Sequence, residues 1–470
     1  MINNLEDLKN KRITVMGLGL NQGGLGVTRF LAKAGAKILV TDLKTGKELG
    51  PSLEKLKSFF DIRYVLGQHR EKDFINTDMI IQNPAVSHNS KYLRIAREHK
   101  IPIKTDLDLF FQLCPSKNII AVAGTKGKST VSQLIYYIFK EAQKDTILAG
   151  NIGISVLDIL GKINPQTWVI LEISTWQLEG ITDYKFRPQT GVLTNILPDH
   201  LDRYLNYKDY ARAEKLIFKH QSPDDYLVSN YDNKETTKIK RETSSVIYWF
   251  SAKEQIEPGC YLDNDELVFQ LEEHKIAFAK ISDLPLRGLH TLENILAAST
   301  VGFIHNIPSE IILKALKKFP GIPYRLEFIG KFKGIKFYND TCATTPEATL
   351  AALESFPKQS IILILGGKDK KLNYENFGVA IGQNKKIKKI ILLQHPDYDA
   401  SLKIFSSLKK HLDLEKIIQT PNLKVGVEIA LQQAKANDLI LLSPASASFG
   451  MFKNEFDRGD QFNKIVKSLK

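Results

Sequence analysis

Short apolar runs of four to six residues alternate with segments of helical period along most of the chain. That is the pattern of parallel α/β units, whose strands are buried on both faces. Runs at 13–16, 38–41, 79–82, 119–122, 169–173 and 191–195 predict buried strands, and 24–34 predicts the helix between the first two. Between 226 and 280 the alternation predicts a meander instead, with a hairpin over 261–270 turning on Asp263-Asn264-Asp265. Strands at 361–365, 389–393 and 439–442 and a helix at 423–435 then resume the first pattern. Two breaks interrupt it, Cys114-Pro115-Ser116 before a strand and Phe319-Pro320-Gly321-Ile322-Pro323 after a helix. The expectation is an α/β chain of three domains, 1–115, 116–320 and 321–470, with a hinge at 320–323.

Composition agrees with that division. At roughly 150 residues per domain, 470 residues make about three. With 43% hydrophobic and 25% charged residues the chain is far from disordered composition. Cys114, Cys260 and Cys342 lie far apart with no CxxC spacing, which excludes a disulfide scaffold or zinc ribbon and points to a reducing compartment. No run of eighteen apolar residues occurs, and the opening MINNLEDLKNKR is charged where a signal peptide needs an apolar stretch, so a cytoplasmic protein without membrane insertion is expected. The net charge of +13 admits nucleic acid, anionic membrane or small anionic substrates, and charge alone does not choose. Clusters such as Lys385-Lys386-Ile387-Lys388-Lys389 read as solvated faces.

The strand at 119–122 runs into Gly124-Thr125-Lys126-Gly127-Lys128-Ser129-Thr130 and then an amphipathic helix. Strand, glycine turn, lysine, hydroxyl pair and helix together make a phosphate site. Glycines let backbone N–H groups close on phosphate oxygens, Lys128 offsets their charge, and Ser129 or Thr130 can sit on Mg²⁺. Val122 stands where the usual loop has a further glycine. The structural alternative is a capped glycine turn.

Three further signals stay open on residue type alone. Gly17-Leu18-Gly19-Leu20 with Asp42 ending the next strand nearly matches a dinucleotide fingerprint, although position 22 is Gln. Glu172, ending a buried strand, is either a metal ligand or half of a structural ion pair. His200, between two aspartates, and Lys215, on the amphipathic segment 210–219, read by default as a structural histidine and a solvated lysine.

GTKGKST resembles the ATP loop of the Mur ligase family, and further motifs follow in the family's order. These are Gly150-Asn151-Ile152-Gly153, the segment LEISTWQLE at 171–179, TNILPDHLDRY at 194–204, GLHTLEN at 288–294, YRLE at 324–327 and NDTCAT at 339–344. The resemblance covers essentially the whole chain. It implies a Rossmann-like N-terminal domain binding a UDP-substrate, a P-loop-type central parallel sheet with a small β extension, and a Rossmann-like C-terminal domain binding the amino acid. The implied reaction is ATP-dependent ligation of glutamate to UDP-N-acetylmuramoyl-L-alanine through an acyl phosphate, in peptidoglycan precursor synthesis. ATP and two Mg²⁺ ions are the implied cofactors, small molecules the only partners, and a monomer is expected.

The resemblance also assigns residues. Residues 124–130, Asn294, Arg325 and Asp340 go to ATP, and Leu20, Asn21, Asp42, Asn151, Ser174 and Gln177 to the UDP-substrate. Asn83-Pro84-Ala85-Val86 is similar to a second nucleotide-side loop. Lys128, Glu172, His200 and Lys215 are the implied catalytic set. Ser129, Glu172, His200 and Lys215 hold metal, Lys215 as a CO₂-modified carbamate whose anionic oxygen replaces the ammonium. Thr344, Lys370 and Ser448 are placed on glutamate. Cys342 stands where members specific for D-glutamate carry lysine, and the order Asn454-Glu455-Phe456 also departs from their pattern. D-glutamate is the first reading and L-glutamate the alternative.

Two readings from other classes, a NAD-dependent oxidoreductase and a nucleic-acid-binding protein, leave the phosphate loop and the motifs after it unexplained. Folylpolyglutamate synthetases share the loop but lack the 115 or so residues before it.

Overall fold

The structure, a computed structural model, describes residues 4–20, 22–59, 61–87, 89–181, 186–199, 203–204, 206–284, 289–370 and 372–469. Their strands form three sheets. The first is fully parallel: β1 (Arg12–Met16), β2 (Lys37–Asp42), β3 (Ile62–Leu66), β4 (Met79–Gln82) and β5 (Ile103–Lys104), in the order β3-β2-β1-β4-β5. The strand order reverses between β1 and β4, and in such sheets the crevice at that point, beyond the carboxyl ends, is where ligands bind.

The second sheet comprises β6 (Ile119–Ala123), β7 (Thr146–Gly150), β8 (Trp168–Glu172), β9 (Thr190–Leu193), β10 (Tyr226–Asn230), β11 (Val246–Ser251), β12 (Gly259–Asp263), β13 (Glu266–Leu271) and β14 (His274–Lys280). Its order is β14-β13-β12-β11-β10-β9-β6-β8-β7. Strands β6 and β8 are apolar and wholly or largely buried, as a strand covered on both faces must be. The chain leaves β6 on one side for β7 and β8 and continues on the other with β9. The loop after β6 therefore emerges between the ends of β8 and β9.

One expectation is corrected here. Residues 226–251 are not part of a meander. Strands β10 and β11 run parallel and continue the central sheet, joined by a helical crossover of the kind parallel pairing requires. Only β12 to β14 are antiparallel, with the hairpin turning after Asp263.

The third sheet is β15 (Glu327–Phe332), β16 (Ile335–Asn339), β17 (Ile361–Leu365), β18 (Ile387–Leu393), β19 (Ile417–Thr420) and β20 (Leu439–Leu442), in the order β15-β16-β20-β17-β18-β19, parallel except for β15 against β16. Buried apolar residues line both of its faces. The lysine cluster at 385–389 is not simply a solvated face, because it enters β18. There Lys388 Nζ lies 2.8 Å from Asp438 Oδ2, and Lys386 Nζ donates to the Leu353 carbonyl at 3.1 Å.

The chain forms two compact units. The first two sheets share one, ending at Phe319, and the third sheet forms the other from Pro320 onward. The break near 115 thus falls between two sheets of a single unit, where Arg29 pairs with Asp158 across it. Among the described residues no helix is long and apolar enough to cross a membrane.

Candidate active site

The loop at 124–127 follows β6, and Gly127, with φ of 90°, starts the helix Lys128–Glu141. A Cβ at Gly127 would collide with Oδ1 of Asn294, so this glycine is required twice, by its left-handed backbone and by its neighbour. Asn294 is thereby placed directly on the loop. The end of β9 clamps the other side: Thr125 N–H donates to the Asn195 carbonyl at 2.9 Å, Lys126 N–H to Asn195 Oδ1 at 2.9 Å, and Thr194 Oγ1 to the Lys126 carbonyl at 2.7 Å. Thr125 is a clasp, its hydroxyl bonded to Tyr210 OH and accepting from Leu197 N–H. Lys126 extends outward to Asp199.

Lys128 Nζ donates to the carbonyls of Gly124 at 2.6 Å and Thr125 at 3.0 Å. Burial lowers the ammonium's pKa, opposed first by the charge of Glu214 and then by that of Glu172. Ser129 and Thr130 lie half-buried in the first helical turn, where the helix's free N–H groups favour an anion.

Glu172 ends β8 and is buried. Its Oε1 accepts from Asn151 Nδ2 at 3.0 Å, while Oε2 has no hydrogen-bond partner. An orphaned buried carboxylate oxygen is costly unless a cation completes it. Ser174 and Gln177 form a reciprocal capping box on the helix Thr175–Gly180, so these two expected substrate contacts have a local structural role.

Lys215 does not reach the phosphate loop. The helix Tyr207–Glu214 tightens there into a 3₁₀ turn, and Lys215 Nζ pairs with Glu242 Oε1 at 2.6 Å. The residue on the loop is its neighbour Glu214, which the sequence reading passed over. Its only sequence signal is the i, i+4 spacing from Tyr210. His200 and Asn21 lie outside the described residues. Among those described, no three His, Cys, Asp or Glu side chains gather as a metal cage.

In the first sheet, Gly17 and Gly19 adopt φ of 90° and 62° at the end of β1. Asp42 is buried and accepts from Gly19 N–H at 3.0 Å and Lys44 N–H at 2.9 Å. Asn83, after β4, donates to the Gly17 carbonyl at 3.1 Å, which joins the two loops at the reversal point. Leu20 is 49% exposed beside them.

In the second compact unit the candidates follow three adjacent strands, β16, β20 and β17. Lys368 and Ala447 bridge the last two loops through backbone bonds of 2.8 and 3.1 Å. Lys370 Nζ donates to Thr344 Oγ1 at 2.8 Å, and Ser448 Oγ is buried without a partner. Asp340 accepts from Ser443 Oγ and from Leu326 N–H, and burial raises its carboxyl to about 7 against those hydrogen bonds and, less, the charge of Arg325. Arg458, also missed in the sequence, is fully buried. It donates to Thr341 and to the carbonyls of Gly366 and Ser446, tying the three loops together.

Residues 11–105 match the Mur ligase MurD-like N-terminal domain, 122–302 the Mur ligase middle domain and 324–446 the Mur ligase glutamate ligase domain. The protein named UDP-N-acetylmuramoylalanine--D-glutamate ligase from Roseiflexus sp. is 38% identical, over 98% of this chain and 99% of its own length. The protein of the same name from Acetivibrio thermocellus is 35% identical over 98% and 97%. Among solved structures, a UDP-N-acetylmuramate-alanine ligase from Thermotoga maritima superposes with a TM-score of 0.62 at 19% identity, over 98% of this chain and 100% of that one, which bears on fold alone. Three successive domain matches and full-length relatives well above 30% identity converge on one assignment: the chain belongs to the Mur ligase family.

Proposed function

We propose that this chain ligates D-glutamate to UDP-N-acetylmuramoyl-L-alanine, with cleavage of ATP to ADP and phosphate. The observation that carries the reading is the half-buried Lys128 on a glycine loop at the strand-order reversal of the central sheet, with the open oxygen of Glu172 at the end of the next strand. Relatives of 33–38% identity, named for D-glutamate, supply the substrates and favour D- over L-glutamate despite Cys342.

Joining a carboxylate to ATP brings two anions together, so charge must be neutralised where they meet. Lys128 exchanges its loop carbonyls for phosphate oxygens, and the backbone N–H groups at the start of its helix take up further charge. The residues fit a divalent cation: Glu172 through its orphaned oxygen and Ser129 through its hydroxyl would hold Mg²⁺, which supplies charge neutralisation between carboxylate and phosphate. A second ion would fall to His200, as the resemblance implies. The alanyl carboxylate attacks the γ-phosphate in line and displaces ADP; the neutral amine of glutamate attacks the acyl phosphate, and the tetrahedral adduct, having lost the amine's proton, expels phosphate to leave the amide. Asn294 borders the phosphate loop through Gly127, and Arg325 and Asp340 are the second unit's own candidates for the nucleotide. The exposed ammonium of Lys370 beside Thr344, with the free hydroxyl of Ser448, suits the side-chain carboxylate of glutamate. Asp42, Leu20 and Asn21 serve the uridine end, with Asn151, Ser174 and Gln177 nearer the sugar. Such a chain works in the cytoplasm as a monomer on small molecules alone.

The test is phosphate release with UDP-N-acetylmuramoyl-L-alanine, ATP and either enantiomer of glutamate. Release with the D form alone is expected, and none with either refutes the reading.

A further inference from the structure

The two departures from the family pattern at the amino-acid end, Cys342 and the order Asn454-Glu455-Phe456, meet in the structure. Glu455 is half-buried at the start of the helix Glu455–Lys467, which Asn454 caps. Its carbonyl accepts from Thr341 Oγ1 at 3.0 Å, and that hydroxyl accepts from Nε of the buried Arg458, one helical turn on, at 2.9 Å. Glu455 is thereby fixed to the loop that carries Cys342 and Thr344. Among the described residues its carboxylate has no hydrogen-bond or ion-pair partner. Asp457, the other acid of the same turn, is engaged by Lys453 N–H at 2.9 Å.

Two cations feel this charge. Burial lowers the pKa of the Lys370 ammonium and brings Arg458 to about 10, and Glu455 opposes both shifts. Burial raises the Cys342 thiol, which stays neutral. The pocket thus presents two cations and one anion, and glutamate brings two carboxylates and one amino group. Lys370 and Ser448 suit the side-chain carboxylate, which leaves Glu455 for the nitrogen. Amide formation must also shed a proton from that nitrogen, and no group assigned so far accepts it. We propose that Glu455 binds the amino group of the incoming glutamate and takes the proton that its nitrogen loses as the amide forms. The nitrogen lone pair makes the N–C bond, the proton passes to the Glu455 carboxylate, and the C–O bond breaks with its electron pair leaving on phosphate. The proton then returns to water. This deepens the proposed ligase activity and rests on it.

The full chain is assayed with ATP and UDP-N-acetylmuramoyl-L-alanine, once with D-glutamate and once with hydroxylamine, a small uncharged amine that traps the acyl phosphate as a hydroxamate. Glu455→Gln is expected to lose about 100-fold in kcat for glutamate, the lower end of a lost proton acceptor, and to raise the KM for D-glutamate. Its hydroxamate formation and its KM for ATP and UDP-substrate should match the wild type. Glutarate, which keeps both carboxylates and lacks the amine, should inhibit variant and wild type equally. Glu455→Asp is expected to recover part of the loss, and it carries the same comparison if Glu455→Gln does not fold. Wild-type glutamate kinetics in Glu455→Gln, or hydroxamate formation that falls as far as ligation does, would overturn the proposal, the second outcome marking a merely structural role. Neither hydroxamate nor phosphate from the wild type would instead sink the ligase reading.

Discussion

Two strand–glycine–helix turns in the first compact unit look alike in sequence and place their carboxylates differently. At the end of β1 the turn at 17–19 is closed by its own carboxylate, since Asp42 takes the Gly19 N–H. No lysine stands in that turn, and the amide that might meet a phosphate is spent. At the end of β6 the turn at 124–127 leads into Lys128, whose ammonium rests on two loop carbonyls. There the carboxylate, Glu214, stands behind the loop on the Gly124 N–H and leaves the start of the helix open. In the first turn the acid occupies an amide of the turn itself, and in the second it leaves the helix N-terminus, which favours anions, uncovered.

Substitutions can break that contrast, and the largest effect is expected for Lys128→Ala. It should cut phosphate release by about 10²–10³-fold, roughly 3–4 kcal/mol of transition-state stabilisation, while titration with UDP-substrate stays as in the wild type. An active variant would remove the phosphate assignment. Glu172→Gln comes next, with kcat lower by about 100-fold. Its Tm should hold, because Oε2 has no protein partner to lose and the amide oxygen can still accept from Asn151.

Gly127→Ala forces a side chain into left-handed backbone and onto Asn294, and is expected to raise the KM for ATP about tenfold. A change in UDP-substrate KM instead would mean that the two turns are not separate sites. The smallest effect belongs to Asp42→Asn, which exchanges charge-assisted for neutral hydrogen bonds at Gly19 and Lys44. Its cost of about 1 kcal/mol should appear as a few-fold rise in UDP-substrate KM, with ATP kinetics unaltered.

Much of the architecture was legible because its signals are local. Runs such as 361–365 and 439–442 are apolar at every position and match β17 and β20 residue for residue. The phosphate loop announced itself through glycines, a lysine and paired hydroxyls in seven consecutive residues. Strands β10 and β11 were misread because edge and central strands of similar composition differ only in what lies beside them. Ser174 and Gln177 matched a family motif, but the same spacing also writes a capping box, and the motif alone does not say which bond forms.

Glu214 and Lys215 draw the sharpest line. They are consecutive, both long and both charged, and the sequence favoured the lysine through motif position. The transition from α-helix to 3₁₀ turn put the carboxylate on the Gly124 N–H and the ammonium on Glu242. By itself the sequence determined the succession of buried strands, the phosphate loop and the family, because periodicity and motif spacing are properties of neighbouring residues. Only the tertiary structure decided which of two adjacent charges is sealed inside, because burial and pairing are set by segments as far apart as residues 124, 175 and 214.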